Sequence, residues 1–359
     1  MTDPGHRPPA GGPDRVTVIL TAVLVIALCV TGVAAFLLHG SGRPSTAPDL
    51  TTPTASPTSA VDGPQEPSAT PTSSGPSASP SSALPTPTSP AASPRPSCVA
   101  KTVVHPLRVV SFNIHSALHD GHVEIDQIAA ELAAMRPDVA LLQEVDAHRG
   151  YSGWVDMPAV LSTALHMQYA FGVNVIGPTT SHGQSQYGTL VLTRFPILSK
   201  TNTPLVSERG LQQRGLLHVV VDVAGTPVSI YNTHLENATG SGSHVDLRSR
   251  QGQQVASIVA GDPNPLIVGG DFNSGPTSVA MRAMAGVASD PWPRVGIGSP
   301  ASHGAPHPTI RIDYLLNRGS DLEAVRAQIG TTAVSDHEPV ITDYRLTATT
   351  LVGACAHRS

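Results

Sequence analysis

The sequence has few cysteines, no basic run and no internal repeat, and each shortage argues against a class of protein. Its 359 residues include three cysteines, and neither Cys98 nor Cys355 has a second ligand at metal spacing, which argues against a zinc site. The net charge is −5 without a lysine- or arginine-rich stretch. This disfavours tight, salt-sensitive binding to nucleic acid, although it leaves room for a small basic groove. Without a repeat of about 20–50 residues, a solenoid or propeller is not expected.

An uncharged apolar segment near the N-terminus predicts a membrane anchor. Val16–Leu38 contains 23 residues without a charge, and a helix rising about 1.5 Å per residue would span roughly 34 Å, enough for the hydrocarbon core. Arg7 and Arg15 precede it. We therefore expect residues 1–15 to form a short cytoplasmic tail and the C-terminal part to lie outside the cell, in a single-pass protein of the cell membrane. The alternative is a cleaved signal peptide, for which Gly32–Ala35 offers a weak cleavage site.

Residues 39–98 are expected to form a disordered linker. Most of them are Pro, Ser, Thr, Ala or Gly, and such a composition has too few apolar side chains to offset the entropy lost on ordering. At roughly 3 Å per residue the segment would reach more than about 100 Å from the membrane. This length suits a tether that crosses a cell wall.

Two cysteines lie at the ends of residues 99–359, the part of the chain with ordinary globular composition. Cys98 comes just before its first expected strand and Cys355 just after its last. In an exported protein, this placement predicts a disulfide bond that joins the two termini of the domain. The alternative is two unpaired thiols.

Hydrophobic patterning in residues 99–359 predicts strands and helices mixed along the chain. Several strands follow one another directly, which favours two packed sheets with helices on their outer faces over a parallel barrel. The expected strands are Leu107–Asn113, Val139–Leu142, Gln168–Asn174, Tyr187–Arg194, Leu216–Val223, Pro227–Thr233, Leu266–Gly269, Thr309–Leu316 and Glu338–Leu346, and the expected helices begin at Ile125 and cover Met157–His166 and His244–Ala260.

Short polar motifs stand at the ends of these apolar runs. Burying such groups without partners costs several kcal/mol each, so we expect the strand ends to converge at one rim. Carboxylates, amides and imidazoles gathered there can hold a hard divalent cation and hydrolyse a phosphoester. The motifs are SFNIH (Ser111–His115), LLQEVD (Leu141–Asp146), YNTHLE (Tyr231–Glu236), VGGDFNS (Val268–Ser274), RIDYLL (Arg311–Leu316) and VSDHEPV (Val334–Val340).

The motifs GGDFNS and SDHEPV carry the most specific chemistry. Asp271 and Asn273 are two residues apart and point the same way in extended backbone, so the carboxylate can activate water while the amide binds a phosphoryl oxygen. Asp336 can ligate a metal while His337 faces the phosphate, and Asp313 is a natural partner for that imidazole. The alternatives are an Asx turn that caps a helix in the first motif and a surface turn in the second.

The remaining candidates have weaker signals. Glu144 follows an apolar run, where it is either a ligand for a hard cation or a solvated strand terminus. The amide of Asn113 can either ligate the metal or steer Glu144. His234 can donate to the phosphate or the leaving oxygen, or be structural. Candidates for substrate binding are His115, Tyr187, Arg214 and Arg248; other histidines, including His303 and His307, lack a matching context and are expected at the surface or in the core.

With these motifs in this order, the chain resembles the endonuclease/exonuclease/phosphatase superfamily, whose branches include deoxyribonucleases and neutral sphingomyelinases. The segments IDQIAAELAAMRPDVALLQEVD, YGTLVLTRFPI and RIDYLL carry the same similarity. It implies a four-layered α/β sandwich and hydrolysis that depends on Mg²⁺ or Mn²⁺. By motif, it implies metal binding by Asn113, Glu144 and Asp336 and catalysis by Asp271, Asn273, His234, His337 and Asp313.

The resemblance leaves the substrate open. His115 stands where the abasic-site branch has an acidic residue, which argues against abasic-site repair. We expect a phosphodiesterase that acts on nucleic acid or a phospholipid headgroup, without an obligate protein partner. A lipid substrate would require exposed apolar residues beside the site, and the candidates are Trp154, Met157 and Trp292. The alternatives are a phosphomonoesterase of the inositol-phosphate kind and a catalytically silent binding module on a stalk.

Overall fold

The computed structural model describes residues 99–237 and 243–352. The predicted tail, anchor and linker, and the disulfide between Cys98 and Cys355, lie outside the described residues and stay predictions. None of the helices within the described ranges is long and apolar enough to span a bilayer.

The described chain alternates strands with a few helices. The strands are β1 (Val99–Asn113), β2 (Leu118–His119), β3 (His122–Val123), β4 (Val139–Ala147), β5 (Gln168–Thr180), β6 (Gly183–Thr193), β7 (Ile197–Pro204), β8 (Gly215–Val223), β9 (Thr226–His234), β10 (Leu266–Asp271), β11 (Gly296–Ile297), β12 (Asp313–Arg318), β13 (Leu322–Ile329) and β14 (Val340–Val352). The helices are α1 (Ile125–Met135), α2 (Met157–Leu165), α3 (Ser243–Ala260), α4 (Val279–Ala285) and α5 (Trp292–Val295).

Two large sheets are built mainly from antiparallel pairs, as predicted. One has seven strands in the order β11-β13-β14-β1-β4-β6-β5, and the other has five in the order β12-β10-β9-β8-β7. The parallel pairs are β1 with β4, β9 with β10 and β11 with β13. The α/β class is therefore confirmed, with mixed sheets.

The main core lies between the two sheets. Leu141 on β4, Leu217 on β8 and Ile267 on β10 belong to one cluster of buried side chains, all at most 1% exposed. Because side chains alternate across a strand, the neighbouring residues of the same strands point outward. The inner faces of both sheets thus share one apolar layer.

Two further clusters lie on the outer faces of the sheets. Phe112 and Leu142 pack with Leu132 of α1 and Leu161 of α2. On the other side, side chains of β9, β10 and β12 pack against the apolar faces of α3 and α4. The sequence of layers is therefore helix, sheet, sheet, helix, as the resemblance implied.

Most predicted elements are present, although β1 begins eight residues before its predicted start and β4 and β5 end five and six residues after their predicted ends. Several others were wrong or missed. The run predicted as Thr309–Leu316 begins its strand only at Asp313, and β14 begins at Val340 rather than Glu338. The missed β7 is an edge strand with a mostly exposed, polar surface, so it lacks apolar alternation. The missed β13, LEAVRAQI, contains Glu, Ala, Arg and Gln, which favour helices when packing does not decide.

Candidate active site

The ends of three neighbouring strands bring the centre of the site together. In the five-stranded sheet, Asp271 at the end of β10 lies opposite His234 at the end of β9 and opposite Asp313 at the start of β12. In the other sheet, Asn113 at the end of β1 lies opposite Gln143 of β4. Because the sheets pack face to face, these four strand ends form one rim.

Asp313 fixes the ring of His337. Its Oδ2 lies 2.8 Å from Nδ1 of His337, and the hydroxyl of Ser302 donates to the same oxygen at 2.8 Å. Both partners are buried, His337 being 5% exposed and Asp313 1%. Nε2 of the ring lies 3.7 Å from Oδ2 of Asp271. The carboxylate therefore sets the orientation of the ring, and Nε2 faces the centre of the site.

The charges around His337 keep it protonated. Burial alone would lower the pKa of this imidazole, but the charge and hydrogen bond of Asp313, followed by the charges of Asp271 and Asp336, raise its pKa to about 10. At neutral pH the ring is an imidazolium, able to donate from both nitrogens.

Asp271 is held from several directions. Burial, and then the charge of Asp313, raise its pKa to about 7, against the opposing effects of His337, the backbone N–H of Asn273 and the amide of Asn113. The backbone N–H of Asn273 donates to Oδ1 of Asp271 at 2.8 Å, and the side-chain amide of Asn113 donates to Oδ2 of Asp271 at 3.1 Å. A fixed carboxylate whose pKa lies near neutrality is suited to accept a proton.

The amide of Asn113 bridges two carboxylates. Its Nδ2 donates to Oε1 of Glu144 and to Oδ2 of Asp271, each at 3.1 Å, while its Oδ1 accepts from the backbone N–H of His115 at 3.0 Å. Of the two predicted roles, this geometry favours steering Glu144. Glu144 itself lies at a register shift between β4 and β6 and has a φ of 55°, so a bulge aims its side chain.

Asp336 lies at the exposed edge of the rim between two imidazoles. Its Oδ1 is 3.5 Å from Nδ1 of His115, and its Oδ2 is 3.6 Å from Nε2 of His303. Its loop is tied to β1, because the hydroxyl of Ser335 donates to the backbone oxygen of Asn113 at 2.7 Å and accepts from the N–H of His337 at 3.1 Å.

The predicted metal ligands are gathered only in part. Within the described ranges, two groups of carboxylate and imidazole atoms lie mutually within 4.8 Å, namely Asp271 with Asp313 and His337, and His303 with Asp336 and His337. Glu144 is in neither group. Its link to the centre runs through the Asn113 amide.

The donor set nevertheless fits a hard cation. Four carboxylates (Asp271, Asp313, Glu144 and Asp336) meet at this rim, and within residues 99–237 and 243–352 none of them forms an ion pair with lysine or arginine. Carboxylates without a lysine or arginine partner are the ligand chemistry that Mg²⁺ and Mn²⁺ take.

His234 and Arg214 form a buried basic flank. Nε2 of His234 is 3.5 Å from Oδ2 of Asp271, and its Nδ1 has no hydrogen-bond partner among the residues that the structure describes. Burial, and then the charges of Arg214 and His337, lower the pKa of His234. Arg214 is 2% exposed, and its Nε and Nη1 also lack hydrogen-bond partners within residues 99–237 and 243–352. Buried polar atoms without partners are costly, and the guanidinium of Arg214 makes this flank a candidate place for an anionic group.

The other predicted side chains have partners within the protein. The Asn273 amide donates to the backbone oxygen of Leu235 at 3.1 Å. Arg248 donates to the backbone oxygen of Glu236 at 3.2 Å, and its burial lowers its pKa although Asp271 and Glu236 raise it. Tyr187 is buried, and burial raises the pKa of its hydroxyl.

Sequence reasoning missed three residues that shape this site. Ser302 orients Asp313, Ser335 anchors the loop of Asp336, and the ring of His303 meets that of His337 edge-on with centroids 4.6 Å apart. Ser335 is the first residue of the SDHEPV motif, so the sequence could have identified it. His303 and Ser302 lie eight and nine residues before Arg311, the first residue of RIDYLL, and only the folded loop brings them to the site.

Two of the three apolar candidates for a lipid surface are exposed to some degree. Trp154 is 38% exposed and stacks on His182 with ring centroids 4.8 Å apart. Trp292 is half-buried beneath the guanidinium of Arg311. The prediction for Met157 was wrong, because its side chain is fully buried between α2 and the seven-stranded sheet.

Residues 110–337 match the Endonuclease/Exonuclease/phosphatase family, and the chain belongs to that family. Its members are phosphoester hydrolases and are generally metal-dependent. An endonuclease/exonuclease/phosphatase from Beutenbergia cavernae is similar over 67% of this chain and 72% of its own, at 27% identity and a TM-score of 0.59.

More distant structures share the fold. The human nocturnin catalytic domain matches over 70% of this chain and 98% of its own, at 23% identity and a TM-score of 0.51. TDP2 from D. rerio, complexed with a single-strand DNA product, matches over 67% of this chain and 98% of its own, at 17% identity and a TM-score of 0.52. No curated protein sequence gives a significant match.

Proposed function

We propose that this protein is an extracellular, membrane-tethered phosphodiesterase that uses Mg²⁺ or Mn²⁺. The observation that carries the proposal is the position of Asp271, which is bound by Asn113 at 3.1 Å and lies 3.5 and 3.7 Å from the imidazoles of His234 and His337. A buried carboxylate between two imidazoles supports acid–base and charge-stabilising chemistry at one phosphorus atom.

In this proposal the described residues have distinct roles. Asp271 accepts a proton from the attacking water, which its pKa of about 7 permits near neutral pH. His337, charged and oriented by Asp313, donates from Nε2 to a phosphoryl oxygen as negative charge develops. Glu144, steered by the amide of Asn113, and Asp336 would hold the cation, which would supply further positive charge to the phosphate.

Arg214 and His234 support binding of an anionic substrate. Both are at most 3% exposed, and both carry nitrogen atoms that have no hydrogen-bond partner in the described part of the chain. A phosphate oxygen would satisfy these donors, and charge-assisted hydrogen bonds of this kind are about twice as strong as neutral ones. Asn273, Arg248 and Tyr187 surround this flank as weaker candidates for substrate contact.

The proposed substrate is a phosphodiester, either nucleic acid or a phospholipid headgroup. The lipid alternative is supported by the exposure of Trp154 and by the predicted tether, and the family relationship supports either. A phosphomonoester is the alternative substrate class.

The test is hydrolysis by the full chain with Mg²⁺ or Mn²⁺, on plasmid DNA, single-stranded nucleic acid, sphingomyelin, phosphatidyl lipids and inositol phosphates. We expect turnover of a phosphodiester, and a loss of at least about a hundredfold in Asp271→Asn and His337→Ala, the scale of losing an acid–base or charge-stabilising group. Asp120→Asn, at a side chain 89% exposed, is the matched control. Near-normal turnover in both site variants would refute these roles, and preferred hydrolysis of an inositol phosphate would refute the substrate class.

A further inference from the structure

One cluster at the rim joins His303, which the proposed hydrolysis does not use, to Asp336 and His337, which it does. Ligand atoms of His303, Asp336 and His337 lie mutually within 4.8 Å, and His303 was not expected from the sequence to have any role. The cluster offers two imidazole nitrogens and one carboxylate. This set differs in kind from the oxygen donors of Asn113 and Glu144.

The hydrogen bonds around His337 leave one of its nitrogens for a ligand. Nδ1 is bound to Asp313 at 2.8 Å, whereas Nε2 has its nearest carboxylate oxygen, of Asp271, at 3.7 Å. A metal ion can bind Nε2 once this nitrogen releases its proton to solvent. The ring is then held by a carboxylate at the other nitrogen, as metal-bound histidines commonly are.

The separation between His303 and Asp336 also fits a bound ion. Their Nε2 and Oδ2 atoms are 3.6 Å apart, which exceeds normal hydrogen-bond distance. Zinc–nitrogen and zinc–oxygen bonds are each about 2.0–2.2 Å, so two ligands of one ion lie roughly 3–3.7 Å apart. The pair is therefore spaced for an ion between them without a large movement.

The backbone holds His303 in this position. Its N–H donates to the oxygen of Ile310 at 3.0 Å, its own oxygen accepts from Thr309, and it forms a bridge with His337. The N–H of Glu338 donates to the oxygen of Ser302. The loop that carries His303 is thus paired with the loop that carries Asp336 and His337, which pre-organises the three side chains.

We propose that His303, Asp336 and His337 form a site for a borderline divalent cation such as Zn²⁺, and that its occupation inhibits hydrolysis. Imidazole ligands select zinc-like ions over Mg²⁺, which prefers oxygen. Inhibition rests on the proposed function, because an ion on Nε2 of His337 removes the proton donor to the phosphate. The same ion would take Asp336 from the proposed Mg²⁺ site.

The binding test uses Zn²⁺ alone, titrated calorimetrically into the full chain without Mg²⁺ or substrate. We expect His303→Ala to lower the affinity for Zn²⁺ at least tenfold, and the affinity for Mg²⁺ by less than twofold, since removal of even a supporting group costs about 10–100-fold at metal sites. His307→Ala, an exposed histidine on the same loop, is the matched control and should leave both affinities unchanged. Equal Zn²⁺ affinity in the wild type and His303→Ala would overturn the site.

X-ray absorption of the Zn²⁺-loaded full chain gives a second readout that needs no variant. We expect scattering from two imidazoles in the wild type and, in His303→Ala or His303→Asn, from one. A wild-type spectrum that shows fewer than two imidazoles bound to Zn²⁺ contradicts the proposal, even if a variant fails to fold.

The inhibition test adds Zn²⁺ to the full chain turning over a phosphodiester with Mg²⁺. The Zn²⁺ concentration for half-inhibition should rise at least tenfold in His303→Ala, relative to that variant's own uninhibited rate. An unchanged value refutes the inhibitory role. Absence of any hydrolysis by the wild type would instead refute the proposed function, and the Zn²⁺ affinities would still decide whether the site exists.

Discussion

The buried centre and the exposed rim of this site use the same kinds of residue in opposite ways. At the centre, Asp313 and His337 meet at 2.8 Å and are almost fully buried. At the rim, Asp336 lies 3.5 and 3.6 Å from His115 and His303, and its side chain is 47% exposed. The centre is therefore completed by hydrogen bonds within the protein, whereas the rim has room for an ion and substrate.

The comparison assigns orientation and proton transfer to the centre and cation binding to the rim. Burial strengthens the electrostatic interactions of the centre, so that its pKa values depart from their usual range. Solvent weakens the electrostatic interactions at the rim, where a bound cation would supply the positive charge that balances Asp336. Substitutions on the two sides should thus separate turnover from metal affinity.

The largest effect is expected at the centre, in Asp313→Asn. Loss of the charge that holds His337 should lower kcat about a hundredfold, with little change in Mg²⁺ affinity measured calorimetrically. The control is Asp343→Asn, which breaks an ion pair with Arg108 at 2.7 Å on a different part of the fold. It shows how much kcat falls when an aspartate ion pair outside the site is lost. A parallel loss of Mg²⁺ affinity in Asp313→Asn would contradict the separation of centre and rim.

The same pair predicts a dependence of stability on pH. The pKa of His337 is raised in the folded state to about 10, from about 6.5 when unfolded. Its stabilising contribution is therefore complete below about pH 6.5 and is lost as the pH rises toward 10. Urea unfolding of the metal-free full chain from pH 6 to 10 should show this loss in the wild type and a smaller one in Asp313→Asn. Identical profiles would show that the pair does not hold the proton.

An intermediate effect is expected at the rim, in Glu144→Gln. Mg²⁺ affinity should fall at least tenfold, because an ionised ligand becomes neutral, while the melting temperature without metal should hardly change at this half-buried position. Glu323→Gln, an exposed glutamate on β13, is the matched control. Unchanged Mg²⁺ affinity would remove Glu144 from the proposed ligands.

The smallest effect is expected on the basic flank, in Arg214→Gln. Since a hydrogen bond to a charged group contributes about 1.5–3 kcal/mol, KM for the phosphodiester should rise roughly tenfold or more, with a smaller change in kcat. The substrate-free protein should become no less stable, because a buried charge without partners at Nε and Nη1 is removed. A clear loss of stability together with an unchanged KM would make Arg214 structural.

The sequence allowed most strands and the main polar motifs to be predicted, because each motif stands at the end or the start of a buried strand. Asp271 and Asp313 could be assigned to the site because they stand directly after or before apolar runs, and their pairing follows from the strand register. The helix at Val279–Ala285 and the edge strand β7 were missed, since their patterns are short or polar.

Other features of the site depend on tertiary contacts that no local pattern encodes. The burial of Arg214 to 2% exposure comes from packing between strands that are distant in the chain. The bulge at Glu144 and the loop that brings His303 beside Asp336 are set by backbone pairing between separate segments. For this reason the sequence predicted the carboxylates, the amides and most imidazoles of the site but gave no role to His303.

The most direct measurement is a crystal of the protein soaked in Mn²⁺, with anomalous diffraction used to locate the ion. The account predicts an anomalous peak at the rim, contacted by the carboxylates of Glu144 and Asp336. A structure in which these two side chains stay apart, with no peak between them, would contradict it.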